Sequence, residues 1–295
     1  MESIPYDKRS GKIWFNGKTV EWKDANIHIL NHGLHYASCV FEGERVYDGE
    51  IFKLAEHTER LFHSAKRMGI KVPYSQKEIN DACKKIVNVQ KVKNGYVRPL
   101  IWRGSEMMAI SAQKNKIHVA IATWEWGSYF DPKLKLNGIK LNISSWRRPA
   151  PNTIPWDTKA AGLYMICTLS KHEAERQGYT DSLMLDHEGN VAEATGANIF
   201  FKDKEGVLHT PIPDSFLDGI TRRTVIDIAK SKKITINERK INVEELENFV
   251  GCFLTGTAAE ITPVASIDKF KFKVCDTIID LSESYQKMVR KKIAA

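Results

Sequence analysis

A chain of 295 residues is longer than one hydrophobic core usually serves, and its 42% hydrophobic and 27% charged residues are ordinary for a globular protein, so two domains are expected. The net charge of +8 would suit nucleic acid, but the basic residues are dispersed among acids and no nucleic-acid motif accompanies them. No apolar run approaches the ~20 residues of a membrane span, and Met1-Glu2-Ser3-Ile4-Pro5 has no signal-peptide core, so a cytoplasmic location without membrane or nucleic-acid partners is expected.

The first predicted element is a hairpin over 13–22, where two β-rich runs flank Asn16-Gly17. Gly11, Gly17, Lys18 and Thr19 approach a phosphate-loop pattern, but the strand–turn–strand context excludes it. Helical spacing of Ala55, Leu61, Phe62, Ala65 and Met68 predicts an amphipathic helix over 54–68. A second helix is predicted over 75–92, with Ser75 as its cap and Glu78 completing a capping box. Strands at 96–102 and 117–123 complete a small α+β domain, 1–123. Residues 124–137 break the periodicity and read as an interdomain linker. A larger domain follows over 138–295. It opens with a strand at 139–146 and a loop bearing Pro149, Pro151 and Pro155. A helix over 159–177, strands near 182–186, 198–201 and 251–255, and helices near 221–230 and 276–292 complete it. The five cysteines are widely spaced and read as buried free thiols. The histidines His28, His32, His35, His57 and His63 lack the carboxylates or cysteines that would complete a metal site.

Lys159 stands out. It is followed by Ala160-Ala161-Gly162, which leave room around a long amine, and then by an apolar run. Crowding by apolar groups disfavours an ammonium, so such a lysine becomes a nucleophile near neutral pH. Three further signals suit an anion. Gly219-Ile220-Thr221-Arg222 joins a glycine to a helix start, where backbone N–H groups lack partners. Thr255-Gly256-Thr257-Ala258-Ala259 follows a strand with small and hydroxylated residues that suit a nest of donors. Arg60 on the first long helix is a candidate bidentate donor. Glu193 lies among small residues beside an apolar strand, so it reads as a buried carboxylate in need of a cation.

Taken together and in order, these motifs resemble the fold-type IV pyridoxal-phosphate enzymes, most closely the branched-chain amino-acid aminotransferases. The same resemblance is carried by His32-Gly33-Leu34-His35-Tyr36, Val40-Phe41-Glu42-Gly43, Glu56-His57 with Arg60-Leu61, Arg98-Pro99-Leu100-Ile101, and Glu193 with Asn198. It implies an α+β fold of two domains, a smaller N-terminal α/β sandwich and a larger C-terminal pseudo-barrel with helices that binds the cofactor. It implies pyridoxal 5'-phosphate held by Lys159 as an internal aldimine, with Lys159 then moving the α-proton as base and acid. Glu193 would pair with the pyridine nitrogen and Tyr164 with the ring hydroxylate. Arg60, Gly219, the Ile220 and Thr221 amides, Gly256 and Thr257 would bind the phosphate. The implied reaction is a ping-pong transamination between leucine, isoleucine or valine and 2-oxoglutarate.

For the substrate, the resemblance implies apolar walls from Tyr36, Phe41, Trp126 and Tyr129 beside Gly43. Tyr96 and the Thr257 and Ala258 amides would hold the α-carboxylate, and Arg98 the second carboxylate of glutamate. Family members often carry glutamate where this chain has Ala197 and glycine where it has Ala37. The loop 103–108 is bulkier and more charged than expected; in the family it commonly reaches the neighbouring subunit's pocket, so at least a homodimer is implied. A D-amino-acid aminotransferase or an aminodeoxychorismate-lyase-like enzyme on the same scaffold is the alternative.

Overall fold

The structure, a computed structural model, describes residues 4–127 and 137–290. Tyr129 and most of the expected linker lie outside the described residues. Contacts divide the chain into two units, Met1–Gly127 with Thr158–Gly162, and Ser128–Asp157 with Leu163–Ala295. Each is a sheet with helices packed on it, the mixed α+β organisation expected.

The sheet of the first unit begins with the hairpin β1 (Lys12–Phe15) and β2 (Lys18–Glu21). Asn16 and Gly17 both take positive φ, as a two-residue hairpin turn demands. The other strands are β3 (Cys39–Phe41), β4 (Glu44–Tyr47), β5 (Glu50–Ile51), β6 (Gly95–Arg103) and β7 (Ile117–Glu125). They pair antiparallel in the order β2-β1-β7-β6-β4-β5, with β3 also on β6. The short helix α1 (His32–Tyr36) ends on Ala37 at φ 52°, a left-handed position that glycine occupies more easily. Helix α2 (Leu54–Arg67) buries Leu54, His57, Thr58, Leu61, Ser64 and Ala65. Helix α3 (Gln76–Gln90) starts at the expected Ser75–Glu78 capping box and packs Ile79, Cys83 and Ile86 on the sheet side, against β1 and β7.

The second unit holds β8 (Ile139–Arg147), β9 (Asp181–Leu185), β10 (Val191–Ala194), β11 (Asn198–Lys202), β12 (Leu208–Thr210), β13 (Ile236–Glu238), β14 (Gly251–Gly256), β15 (Glu260–Ile267) and β16 (Phe270–Lys271). Their order is β10-β9-β8-β15-β14-β11-β12-β13, with β16 on β15. The pairs β8–β9, β8–β15 and β12–β13 are parallel. Leu141, Leu183, Ile199, Phe201, Leu254 and Val264 anchor the core, each fully buried apolar side chain contributing about 1.5–3 kcal/mol. Helix α4 (Tyr164–Arg176) lies on β8 and β9. Helices α5 (Ile220–Ser231) and α6 (Asp276–Val289) pack on each other, on β14 and β15 respectively.

One expectation is corrected. The helix read from residue 159 begins at Tyr164, after a 3-10 turn over Ala161–Leu163. Lys159 and Ala160 are extended instead, because the β3 edge takes their backbone: Ala160 bridges to Val40, and Phe41 N–H donates to the Lys159 carbonyl.

Candidate active site

In the first unit the backbone pins Lys159 from both sides. Phe41 N–H donates to its carbonyl at 3.1 Å, and its own N–H donates to Ser64 Oγ on α2 at 3.0 Å. The amine then lies over the Phe41 ring, 5.1 Å from the centroid. Burial pushes the amine's pKa below the ordinary lysine value; Glu42 opposes that shift, and Arg60 and Arg98 reinforce it. The neutral, nucleophilic form is thereby favoured.

Several predicted substrate residues gather here. The Arg98 guanidinium also lies over Phe41, 4.6 Å from the centroid, and its Nη2 donates to the Tyr96 hydroxyl at 3.4 Å. Tyr96 meets Trp126 edge-on at 4.7 Å. Gly43 makes this possible, since a Cβ there would lie 1.7 Å from the Tyr96 hydroxyl. The β4–β6 register brings that segment against Tyr96, with Arg45 opposite it and Glu44 opposite Val97. Tyr36 lies at the end of α1, exposed, stacked on His32 and donating its hydroxyl to the Met108 carbonyl at 3.2 Å. Burial pushes the nearby Cys39 thiol up to about 12, which removes it as a competing nucleophile.

Arg60 has a partner that the sequence reading did not foresee. Its Nε donates to Glu42 Oε1 at 2.6 Å and its Nη2 to Oε2 at 2.9 Å. His57, one turn earlier on α2, meets Glu42 Oε2 through Nδ1 at 2.7 Å. Burial opposes the Glu42 charge, yet Arg60 and His57 outweigh it and hold the carboxyl well below the usual carboxylate range. Burial holds His57 below its ordinary value, so it is the neutral donor of this cluster. The spacing of His57 and Arg60, three apart on one helix face, was a signal available in the sequence.

In the second unit Glu193 projects from β10 and is buried. Its Oε2 accepts from Asn198 Nδ2 at 3.2 Å, and its Oε1 lies 3.5 Å from Arg148 Nε. Arg148 is buried too, and nothing in Arg147-Arg148-Pro149 marked it for this role. Asn198 opens β11 opposite Thr255 of β14. It also reaches the start of α5, where its Oδ1 accepts the Gly219 N–H at 3.1 Å. Ile220 and Thr221 form the first turn of α5 and are buried. From Thr255 the chain runs through Gly256 into the turn of Thr257 and Ala258. A Cβ on Gly256 would sit 3.4 Å from both Ala197 Cβ and the Gly196 carbonyl oxygen. Glu193, Gly219, Ile220, Thr221, Gly256 and Thr257 are thus brought into one neighbourhood of the unit, with Asn198 at its middle. Tyr164 is the first residue of α4 and half-buried.

The family pattern described as Amino-transferase class IV matches residues 39–267. A protein of Rickettsia bellii named probable branched-chain-amino-acid aminotransferase is 45% identical over 282 residues, which span 94% of this chain and 96% of that protein. The branched-chain aminotransferase of Thermoproteus uzoniensis, solved with norvaline, superposes at a TM-score of 0.92, with 35% identity over 97% of each chain. A thermophile branched-chain amino acid aminotransferase (T.th.) complexed with N-(5'-phosphopyridoxyl)-L-glutamate gives a TM-score of 0.91, with 34% identity over 96% of this chain and 95% of that one.

Proposed function

The chain belongs to the class IV aminotransferases, and from that premise we propose that it exchanges amino groups between branched-chain L-amino acids and 2-oxoglutarate by a ping-pong route with pyridoxal 5'-phosphate. The observation that carries the reading is the desolvated Lys159 amine over Phe41. The names of the relatives support the donor class, and the glutamate adduct of one solved relative supports glutamate as the partner substrate.

The residues fit the cofactor. Gly219 leaves a gap that a Cβ would fill, beside first-turn amides that suit a phosphate, and Glu193 is a buried carboxylate able to balance a protonated ring nitrogen. When bound, pyridoxal phosphate supplies an electron sink for the carbanion at the substrate's Cα. Lys159 attaches it covalently, then takes the Cα proton on Nζ and returns it. Glu193 keeps the ring nitrogen protonated, and Tyr164 donates to the ring oxygen. Arg60, the Ile220 and Thr221 amides, Gly256 and Thr257 hold the phosphate. Tyr96 and the Thr257 and Ala258 amides orient the α-carboxylate. Phe41, Tyr36, Trp126 and Tyr129 shield an aliphatic side chain, worth about 0.8 kcal/mol per buried CH₂. Arg98 takes the second carboxylate of glutamate.

The enzyme works as a homodimer in this reading. Ile29, Leu30, Leu34 and Ile110 are exposed apolar residues on the first unit, and His32 and Tyr36 tie α1 to the carbonyls of Ala109 and Met108. Such a face suits a second copy of the chain.

Borohydride reduction of the purified protein followed by peptide mapping tests the assignment. The label is expected on Lys159, with Lys159→Ala losing at least about 10³-fold in leucine:2-oxoglutarate turnover. A label on another lysine, or a Lys159→Ala protein as active as wild type, removes the reading.

A further inference from the structure

Asn198 is buried, and every hydrogen-bonding direction of its amide that the second unit engages leads to a group around the cofactor cradle. Nδ2 donates to Glu193 Oε2 at 3.2 Å and to the Leu217 carbonyl at 2.9 Å. Oδ1 accepts the Gly219 N–H at 3.1 Å. These partners dictate the amide's orientation. Turned over, it would set oxygen against a carboxylate and a carbonyl, and NH₂ against an N–H. The residue type is dictated as well. Aspartate would offer no donor to Leu217 and would bring a second charge to Glu193, while serine is too short to reach both.

Gly219 tightens the connection. It occupies the N-cap of α5 and has no side chain with which to cap. A Cβ there would lie 2.1 Å from Asn198 Oδ1, so any larger residue drives the amide away. The second oxygen of Glu193 has its own cation in Arg148 at 3.5 Å, which leaves Asn198 as the route from Glu193 to the helix start.

We propose that Asn198 is a positioning residue that locks the two anchors of the cofactor, the Glu193 carboxylate and the first turn of α5, into one fixed spacing. This rests on the reading above, in which Glu193 faces the ring nitrogen and Gly219-Ile220-Thr221 the phosphate. The amide touches neither ring nor phosphate; it acts through the groups that do. The spacing of ring nitrogen and phosphate in the cofactor is rigid, so a cradle whose two ends are tied gains affinity by preorganisation. A consequence is communication between the ends: a change confined to the phosphate end is felt at the ring nitrogen.

The test uses full-length enzyme and three variants, Asn198→Asp, Asn198→Ala and Gly219→Ala. Two quantities are read: affinity for pyridoxal phosphate, pyridoxal and inorganic phosphate by equilibrium dialysis, and the pH midpoint of the holoenzyme's visible absorption. Asn198→Asp keeps an acceptor for the Gly219 N–H. Inorganic phosphate is therefore expected to bind as in wild type, while pyridoxal phosphate and pyridoxal both weaken by about 10-fold and the absorption midpoint moves. Asn198→Ala is expected to weaken all three ligands. Gly219→Ala, although it lies at the phosphate end, is expected to shift the absorption midpoint in the direction that Asn198→Ala does. A Gly219→Ala enzyme with weakened phosphate binding but an unmoved midpoint overturns the linkage, as does an Asn198→Asp enzyme indistinguishable from wild type. Wild-type protein that fails to take up pyridoxal phosphate at all overturns the functional reading instead, and the linkage with it.

Discussion

Glu42 and Glu44 are two residues apart, both fully buried, and opposite in protonation. Glu42 is charged because Arg60 and His57 both bond to it. Neither oxygen of Glu44 has a hydrogen-bond partner among the described residues. Burial pushes its pKa well above the usual value, the adjacent Glu42 charge pushes further, and Arg60 only partly opposes them. Glu44 is therefore held as a neutral acid in a core position, an arrangement that costs about 1–3 kcal/mol relative to an apolar side chain. Its folded pKa is raised, so its contribution to stability is complete below the unfolded value of 4.5 and is lost as pH climbs toward the folded value. Glu44→Leu removes that dependence. Urea unfolding at a series of pH values should show the variant gaining on wild type steadily as pH rises above 4.5. A stability difference independent of pH would mean that Glu44 is not protonated in the native state.

At the scale of elements, helix α3 shows what local sequence can specify. Ser75 Oγ accepts the Glu78 N–H at 3.2 Å, and Glu78 Oε2 accepts the Ser75 N–H at 2.7 Å. Both halves of the box are encoded within four residues, and so is the apolar face that follows, which is why the helix was legible. Ser75→Ala should cost about 1 kcal/mol in chemical denaturation with leucine turnover unchanged, because the cap stands away from Lys159 in the sequence and serves only the helix start. A loss of activity without a loss of stability would contradict that division. The hairpin at Asn16-Gly17, helix α2 and strands β6 and β7 were legible for the same local reasons. Strand β15 was not. Pro263 sits inside it, opposite Phe253, and a proline argues against a strand flanked on both sides. The extended run at Lys159 was misread as helix because the bonds that fix it come from Phe41 and Ser64, far away in the chain. The site divides in the same way. Lys159, Glu193 and the two glycine turns announce themselves by residue type and order. Glu42, Arg148 and the bonds of Asn198 are visible only once folding brings distant segments together.

For the molecule as a whole, the feature that the fold of one chain leaves unexplained is the apolar face around α1. Ile29 is 72% exposed and Ile110 84%, with Leu30 and Leu34 exposed beside them. The backbone around them is not loose. His35 Nε2 meets the Ile29 carbonyl at 3.0 Å, His32 Nε2 the Ala109 carbonyl at 3.1 Å, and His32 N–H donates to the Gly104 carbonyl at 2.9 Å. Hydrogen bonds that hold apolar side chains out toward water make sense if another surface covers them, and a two-fold pairing would use each side chain twice. Burying a leucine or isoleucine contributes about 1.5–3 kcal/mol, so charges at two such positions weaken a symmetric dimer through four sites at once. A loss of even about 5 kcal/mol raises Kd more than about 10³-fold. Sedimentation should therefore find wild type dimeric or larger at micromolar concentration, and the Leu34→Asp/Ile110→Asp protein monomeric with its far-ultraviolet circular dichroism retained. A monomeric wild type would assign this face to another partner, and a doubly substituted protein that still sediments with wild type would place the contact elsewhere on the surface.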